Sequence, residues 1–319
     1  MKPIVFVDRP LPIEVKIYLE EHFQLDYWDK QEKIDQETLL LYLERATGIL
    51  TSGRSIDERL LQAAPQLKAV STISVGYDHF DVPAMDNYGV IGMNTPYVLD
   101  DTVADLAMTL MLGCARKVAQ LDRYVKEGKW SFADNRKNFG IDVHHANLGI
   151  IGMGRIGEAV ARRAIFGFSM NVTYYNRTRK PDVEEQLGVT YSSLDQLLAT
   201  SDFVLLLTPL TKETYHLIGR EQLQQMKKTA YLINVSRGQT VDESALIEAL
   251  TKEWIAGAGL DVYNQEPVPA DHPLLQFEHV LTLPHIGSAT EATRFKMAML
   301  GAQNLYQTLI AQTPQNRVN

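Results

Sequence analysis

The chain has 319 residues, 45% hydrophobic and 22% charged, the profile of a soluble globular protein long enough for two domains of ordinary size. A formal net charge of −8 offers no general attraction to nucleic acid or to anionic membranes, and no apolar run approaches the ~20 residues that span a bilayer. The single cysteine, Cys114, excludes an intrachain disulfide and suits a reducing compartment; in a helical run it reads as a small buried apolar residue rather than a nucleophile.

The N-terminal Met-Lys-Pro-Ile-Val-Phe-Val-Asp reads as a short strand with an early acid, not a signal peptide, so the cytoplasm is the expected compartment. From there to about Pro96, short apolar strands alternate with helices. The strands are expected at Ile4–Val7, Leu25–Tyr27, Gly48–Thr51, Ala69–Thr72 and Val90–Ile91. The helices are expected at Ile13–Glu21, Glu37–Arg45, Asp57–Ala64 and Val82–Tyr88. This is a parallel α/β pattern with no phosphate loop of its own. Asn94-Thr-Pro96 breaks it, and Asp101 to about Gly128 then reads as one long helix. The polar stretch Lys129–His145 carries Trp130, Phe132 and Phe139 without periodicity, which suits an interface arm.

A second α/β series starts at Asn147, with strands expected at Leu148–Ile151, Val172–Tyr175, Phe203–Leu207, Ala230–Val235, Gly257–Leu260 and Val280–Thr282, and a last helix from about Thr290 to Ile310. Its first strand runs into Gly152, Gly154 and Gly157, a G-x-G-x-x-G turn. The first glycine permits the tight turn, the second lets backbone approach a pyrophosphate, and the third lets helix and strand pack. The helix that follows, with Ile156, Val160, Ala164 and Ile165 at helical spacing, offers its N-terminal N–H groups to the phosphates. Alone the motif is weak. Between an apolar strand and an amphipathic helix, with the next strand at βαβ distance, it indicates a dinucleotide site. The glycine-loop domain therefore reads as an insertion, residues 99–287, between residues 1–98 and 288–319 of the other α/β domain. Two crossings, near Pro96–Asp101 and Ile286–Thr290, would then form a hinge over a cleft.

Three segments just past strand ends carry chemistry: Asn234-Val-Ser-Arg-Gly238, Leu260-Asp-Val-Tyr-Asn-Gln-Glu-Pro267 and Leu283-Pro-His-Ile-Gly-Ser-Ala-Thr290. Arg237 offers a planar fork to a small carboxylate and can polarise a carbonyl. His285 can protonate the carbonyl oxygen as hydride arrives, and Glu266 would keep that imidazole charged. With a nicotinamide nearby, the set fits hydride transfer to a 2-oxo acid. His144-His145 does not suggest a metal: adjacent histidines on an extended segment point apart, and no Cys or acid cluster completes a site.

The chain resembles the D-isomer-specific 2-hydroxyacid dehydrogenase family. The resemblance rests on Val75-Gly-Tyr-Asp-His-Phe-Asp81, Asn94-Thr-Pro96, Thr102-Val-Ala-Asp105, Gly152–Gly157, Ser236-Arg-Gly238, Gly259-Leu-Asp-Val262, Gln265-Glu-Pro267 and Pro284-His-Ile-Gly287, which span nearly the whole length. Asp142-Val-His-His145 and His285-Ile-Gly-Ser-Ala-Thr290 are most similar to the bacterial members that reduce glyoxylate, hydroxypyruvate and 2-ketogluconate. The resemblance implies two Rossmann-like doubly wound domains, a flavodoxin-like substrate domain and an NAD(P)-binding Rossmann domain, with a cleft between them. It implies catalysis by Arg237, Glu266 and His285, with Val75 and Gly76 donating backbone N–H groups to the substrate carboxylate. It places the cofactor against Thr102, Gly152, Gly154, Arg155, Ile156, Gly157, Asn176, Arg177, Thr178, Thr208, Pro209, Val235, Ser236, Arg237, Asp261 and His285. A homodimer through the cofactor domains is implied too, with no metal, nucleic acid or membrane.

One departure bears on the cofactor. The second Rossmann strand ends Tyr175-Asn176-Arg177-Thr178-Arg179, with no acid for ribose hydroxyls, which favours NADP(H) over NAD(H). Formate dehydrogenases of the superfamily carry Gln where this chain has Glu266. A short-form phosphoglycerate dehydrogenase is an alternative within enzymes. The related nucleotide-sensing corepressors, a different class, carry partner-binding extensions for which no counterpart is recognised.

Overall fold

A computed structural model of the chain describes residues 2–30, 32, 34–131 and 136–319. The chain divides into two compact units, Met1–Leu99 with Ala289–Asn319, and Asp100–Ser288. The first unit alternates β1 (Ile4–Val7), α1 (Ile13–His22), β2 (Gln24–Tyr27), α2 (Gln36–Leu43), β3 (Gly48–Thr51), α3 (Glu58–Ala63), β4 (Ala69–Thr72), α4 (Val82–Asn87) and β5 (Ile91–Met93). All neighbouring strands are parallel, in the order β2-β1-β3-β4-β5. Buried on both faces, β3 and β4 read as continuous apolar or small runs rather than alternating ones. Asp35, Asp57 and Asp81 cap α2, α3 and α4 by accepting first-turn N–H groups, each cap worth about 1 kcal/mol. Asp57 therefore precedes its helix rather than starting it.

The second unit holds α5 (Asp100–Ala115), α6 (Val118–Lys126), β6 (Asn147–Ile151), α7 (Arg155–Phe168), β7 (Asn171–Tyr175), α8 (Pro181–Leu187), β8 (Thr190–Tyr191), α9 (Leu194–Thr200), β9 (Phe203–Leu206), α10 (Arg220–Gln225), β10 (Tyr231–Asn234), α11 (Glu243–Thr251), β11 (Gly257–Leu260) and β12 (Val280–Thr282). Its parallel sheet has the order β12-β11-β10-β9-β6-β7-β8. Strand order reverses between β6 and β9, so the loops after these two strands flank the crevice where doubly wound sheets bind ligands. The last helix, α12 (Glu291–Leu309), returns to the first unit and packs on β3 and β4. Thr290 is its N-cap.

The single long helix expected from Asp101 to Gly128 is corrected: it is two helices, α5 and α6. Lys117 adopts a left-handed conformation (φ 53°). The Ala115 carbonyl, which a continuous helix would bond to a residue four positions on, instead accepts the N–H of Ile141 from the returning loop. Helix α6 has no buried residue, and Val118, Val125, Trp130 and Phe139 are exposed; Phe132 of the expected interface arm lies outside the described residues. Cys114 is buried against β11, and burial pushes its thiol up to about 12, so it stays an inert thiol at neutral pH. His144 and His145 sit in a turn entering β6, His145 donating its N–H to the Phe168 carbonyl. Among the described residues, no helix is long and apolar enough to cross a membrane, and no group of three or more His, Cys, Asp or Glu is placed to hold a metal.

Candidate active site

The glycine turn is built as its sequence requires. Gly152 has φ 106°, and a Cβ there would lie 2.8 Å from the Leu207 carbonyl carbon and 2.9 Å from the Thr208 nitrogen. No other residue combines that dihedral with that approach. A Cβ on Gly157 would lie 2.6 Å from the Gly152 oxygen, so α7 starts close beneath the turn. Gly154 is different. Its dihedrals are extended, and a Cβ there would meet nothing within 4 Å. It is the N-cap of α7, no side chain caps that helix, and the first-turn N–H groups with the positive end of the helix dipole are offered to an anion. Beside the turn, the Thr208 hydroxyl is buried without a hydrogen-bond partner among the described residues. Open space above Gly154, an uncapped helix end and an unpaired hydroxyl together fit a dinucleotide phosphate bridge. Arg155 donates to Asp100 Oδ2 (2.9 Å), tying α7 to the start of α5, where Thr102 lies in the first turn.

The residues after β7 divide their work. Asn176 grips the turn from the side: its Oδ1 accepts the Met153 N–H (2.8 Å) and its Nδ2 donates to the Met153 carbonyl (3.3 Å). Arg179 is held by Glu184 through two bonds, 2.8 and 2.6 Å, and the buried Tyr174 hydroxyl donates to the same carboxylate (2.6 Å). Arg179 first and Tyr174 second hold the Glu184 carboxyl down at about 2. Arg177 and Thr178 are exposed. The Arg177 charge also acts on Glu213, whose carboxyl is lowered chiefly by its hydrogen bond with Thr211.

The chemistry-bearing segments converge at the ends of β10, β11 and β12. Asn234 closes β10 with an Asx turn, its Oδ1 accepting both the Ser236 N–H (3.0 Å) and hydroxyl (2.8 Å) and its Nδ2 donating to the Arg237 carbonyl (3.0 Å). Val235, Ser236 and Arg237 are thereby fixed in one loop. A Cβ on Gly238 would fall 2.0 Å from the Tyr263 carbonyl carbon, so this loop can lie against the Glu266 segment only with glycine there. Glu266 accepts the Tyr263 N–H at Oε1 (3.0 Å) and meets His285 Nδ1 at Oε2 (2.6 Å). A carboxylate accepts, so Nδ1 carries the proton in that bond, and Nε2 is the ring nitrogen left for chemistry. His285 has φ 53°, and the turn is held by Asp261, which is 1% exposed and accepts the Ile286 and Gly287 N–H groups, each at 2.8 Å.

Burial pushes the Glu266 carboxyl up, but the hydrogen bond with His285, the Tyr263 N–H and the charges of His285 and Arg237 outweigh it, and the group lies below its ordinary range. It is ionised at neutral pH. At Asp261 the balance is reversed: burial wins over the two N–H bonds and the His285 charge, and the carboxyl lies above its ordinary range. The site thus pairs a fixed imidazole with an ionised carboxylate, with a guanidinium in electrostatic reach. A guanidinium can hold a small anion, and an imidazole so paired can give or take a proton at Nε2.

The model of the D-isomer specific 2-hydroxyacid dehydrogenase NAD binding domain matches residues 108–287. The chain belongs to this family. It is an NAD(P)-dependent oxidoreductase. A glyoxylate/hydroxypyruvate reductase B from Yersinia pestis (strain Pestoides F) is 48% identical over 319 residues, covering 100% of this chain and 98% of that one. A crystal structure of a Thermus thermophilus protein matches with TM-score 0.91 and 39% identity, over 99% of this chain and 100% of that one. An NADPH-dependent glyoxylate/hydroxypyruvate reductase from Sinorhizobium meliloti, solved with NADP and malonate, matches with TM-score 0.84 and 32% identity over 100% of both chains.

Within this dehydrogenase the structure brings Arg237, Glu266 and His285 together, and Gly152, Gly154, Gly157, Thr208 and Pro209 at one strand-order reversal. Asp261 and Asn176, expected against the cofactor, also hold protein backbone: Asp261 accepts the Ile286 and Gly287 N–H groups, and Asn176 bonds the N–H and the carbonyl of Met153. Val75 and Gly76 follow β4 in the first unit. Sequence reasoning does not single out Asn234 and Tyr263; the Asn-x-Ser spacing at a strand end is the available signal for the first.

Proposed function

We propose that this dehydrogenase reduces glyoxylate, hydroxypyruvate and 2-ketogluconate to D-2-hydroxy acids, with NADPH preferred over NADH. The observation that carries the reading is the 2.6 Å bond between Glu266 and His285, with the Arg237 charge acting on the same carboxylate. The bound nicotinamide supplies the hydride. Arg237 holds the substrate carboxylate and polarises the carbonyl; the backbone N–H groups of Val75 and Gly76 are the carboxylate's other donors. His285 gives the Nε2 proton to the carbonyl oxygen, and Glu266 stabilises the charged ring until it does so. The names of the relatives from Yersinia pestis and Sinorhizobium meliloti support glyoxylate and hydroxypyruvate as substrates.

The cofactor preference is supported by what stands after β7. No acid is available for ribose hydroxyls and Arg179 is held by Glu184, which leaves Arg177 and Thr178, beside Asn176, for a 2′-phosphate. Thr102, Arg155, Ile156, Asn176, Val235, Ser236 and Asp261 complete the proposed cofactor contacts. The test is a panel of 2-oxo acids assayed with NADPH and NADH in parallel. Turnover of glyoxylate and hydroxypyruvate with the higher kcat/KM for NADPH is expected; no turnover of any 2-oxo acid would overturn the reading.

A further inference from the structure

The loop after β4 is wired to the far end of the chain. A trans peptide sets its N–H opposite the carbonyl of the preceding residue, so fixing that carbonyl aims the N–H. The Ser74 carbonyl accepts the Thr95 N–H (2.9 Å), which sets the peptide carrying the Val75 N–H. The Val75 carbonyl accepts Asn94 Nδ2 (2.8 Å), which sets the peptide carrying the Gly76 N–H. Asn94 and Thr95 thus brace both planes at once. Asn94 is held in turn: its carbonyl accepts Nδ2 of Asn304 on α12 (2.8 Å), and its N–H donates to the Asn316 carbonyl (3.2 Å). Asn316 Nδ2 donates to Asn304 Oδ1 (2.9 Å), which fixes the orientation of that amide. Asn304 is 1% exposed. Its oxygen accepts from Asn316 and its nitrogen donates to Asn94, so this buried amide links the last helix to the segment after β5.

We infer that Asn304 and Asn316 are positioning residues for substrate binding: through Asn94 they aim the Val75 and Gly76 N–H groups at the substrate carboxylate. The inference rests on the proposed role of the Val75–Gly76 loop. Its consequence is that two residues in the last sixteen positions of the chain set substrate affinity without touching substrate.

The experiment compares the natural enzyme with Asn304→Ala, Asn304→Asp and Asn316→Ala. KM for glyoxylate and the inhibition constant of oxalate, a carboxylate analogue, are measured beside kcat, KM for NADPH and thermal stability. Both carboxylate constants are expected to weaken together by about three- to tenfold, the size of one misplaced hydrogen bond, with kcat and KM for NADPH unchanged. Asn304→Asp keeps the shape but turns the donor facing the Asn94 carbonyl into an acceptor, so its effect should equal or exceed that of alanine. Should Asn304→Ala fail to fold, Asn316→Ala removes only the amide that orients Asn304. In parallel, enzyme labelled with ¹⁵N at valine and glycine is titrated with oxalate in the presence of NADP. Shifted Val75 and Gly76 amides together with unchanged constants in the folded variants would overturn the inference and leave the loop's role standing. Unshifted amides in an enzyme that oxalate still inhibits would overturn the loop's role and the inference with it.

Discussion

Replacing Arg177 by alanine tests the cofactor preference at one side chain. Arg177 follows β7 and is exposed, while the neighbouring Arg179 is consumed by its two bonds to Glu184. A charge-assisted hydrogen bond contributes roughly 1.5–3 kcal/mol. Exposure to solvent places Arg177 near the lower end, and Glu213 within electrostatic reach competes with a phosphate for the same cation. About 1.5 kcal/mol remains, which is roughly tenfold in affinity. Arg177→Ala should therefore lower kcat/KM with NADPH about tenfold and leave NADH almost unchanged. Because the contact is exposed, ~1 M salt, with a Debye length of ~3 Å, should narrow the NADPH advantage in the natural enzyme. Glu213→Gln should widen it at low salt. The assay is initial-rate kinetics with both cofactors at saturating glyoxylate. Equal kcat/KM for NADPH and NADH in the natural enzyme, or a ratio untouched by Arg177→Ala, would refute the reasoning.

Four further outcomes are expected. His285→Ala should lose roughly 10²–10⁴-fold, mainly in kcat, whereas Arg237→Ala should raise KM for the oxo acid and lower kcat as well; a near-native kcat in the histidine variant would exclude its role as acid. Glu266→Gln should shift the alkaline limb of kcat/KM for reduction to lower pH and make oxidation of the hydroxy acid less impaired at moderate pH, as paired pH–rate profiles would record. The Glu266 carboxyl lies below its ordinary 4.5, so its pairing stabilises the fold above that pH and the contribution is lost as pH falls below it; Glu266→Gln should flatten that acid side in thermal melts. Gly154→Ala should keep or slightly raise the melting temperature, since a Cβ there meets no protein atom, yet raise KM for NADPH, whereas Gly152→Ala should destabilise the fold outright.

Periodicity locates most of the strands because parallel strands buried on both faces are short apolar runs bounded by turns. It fails at Lys117. Nothing local marks that break: the Ala115 carbonyl is captured by Ile141, a contact made across an intervening loop, and a lysine takes the left-handed turn that glycine more often provides. The two-residue β8 is too short for alternation to register. At the site, residue type and position past strand ends suffice to group Arg237, Glu266 and His285, which the structure brings together. The tasks of Asn176 and Asp261 are not legible in the same way. An amide or a carboxylate beside a cofactor turn reads as a ligand group, and nothing local signals that each also bonds backbone from another segment.

Hydrogen bonds to backbone mark out the scaffold across the molecule. A polar side chain has a fixed number of donors and acceptors, and each one bonded to backbone helps to hold a loop in position. Asn234 grips Ser236 and Arg237, Asp261 grips Ile286 and Gly287, Asn176 grips Met153, and Asn304 grips Asn94. Each fixes a loop that follows a parallel strand, where the chain has left the sheet's own ladder and would otherwise have no partner for its peptides. What the braces leave over is small and specific: His285 Nε2 once Nδ1 is on Glu266, the Thr208 hydroxyl, the first turn of α7, and the exposed Arg177. Preorganisation demands this division, because a donor that must reorient when charge develops loses much of its effect, whereas one already held acts at once. Asn234, Asp261, Asn176 and Asn304 hold those loops by bonds to backbone, so the groups the loops carry are in place before a ligand arrives.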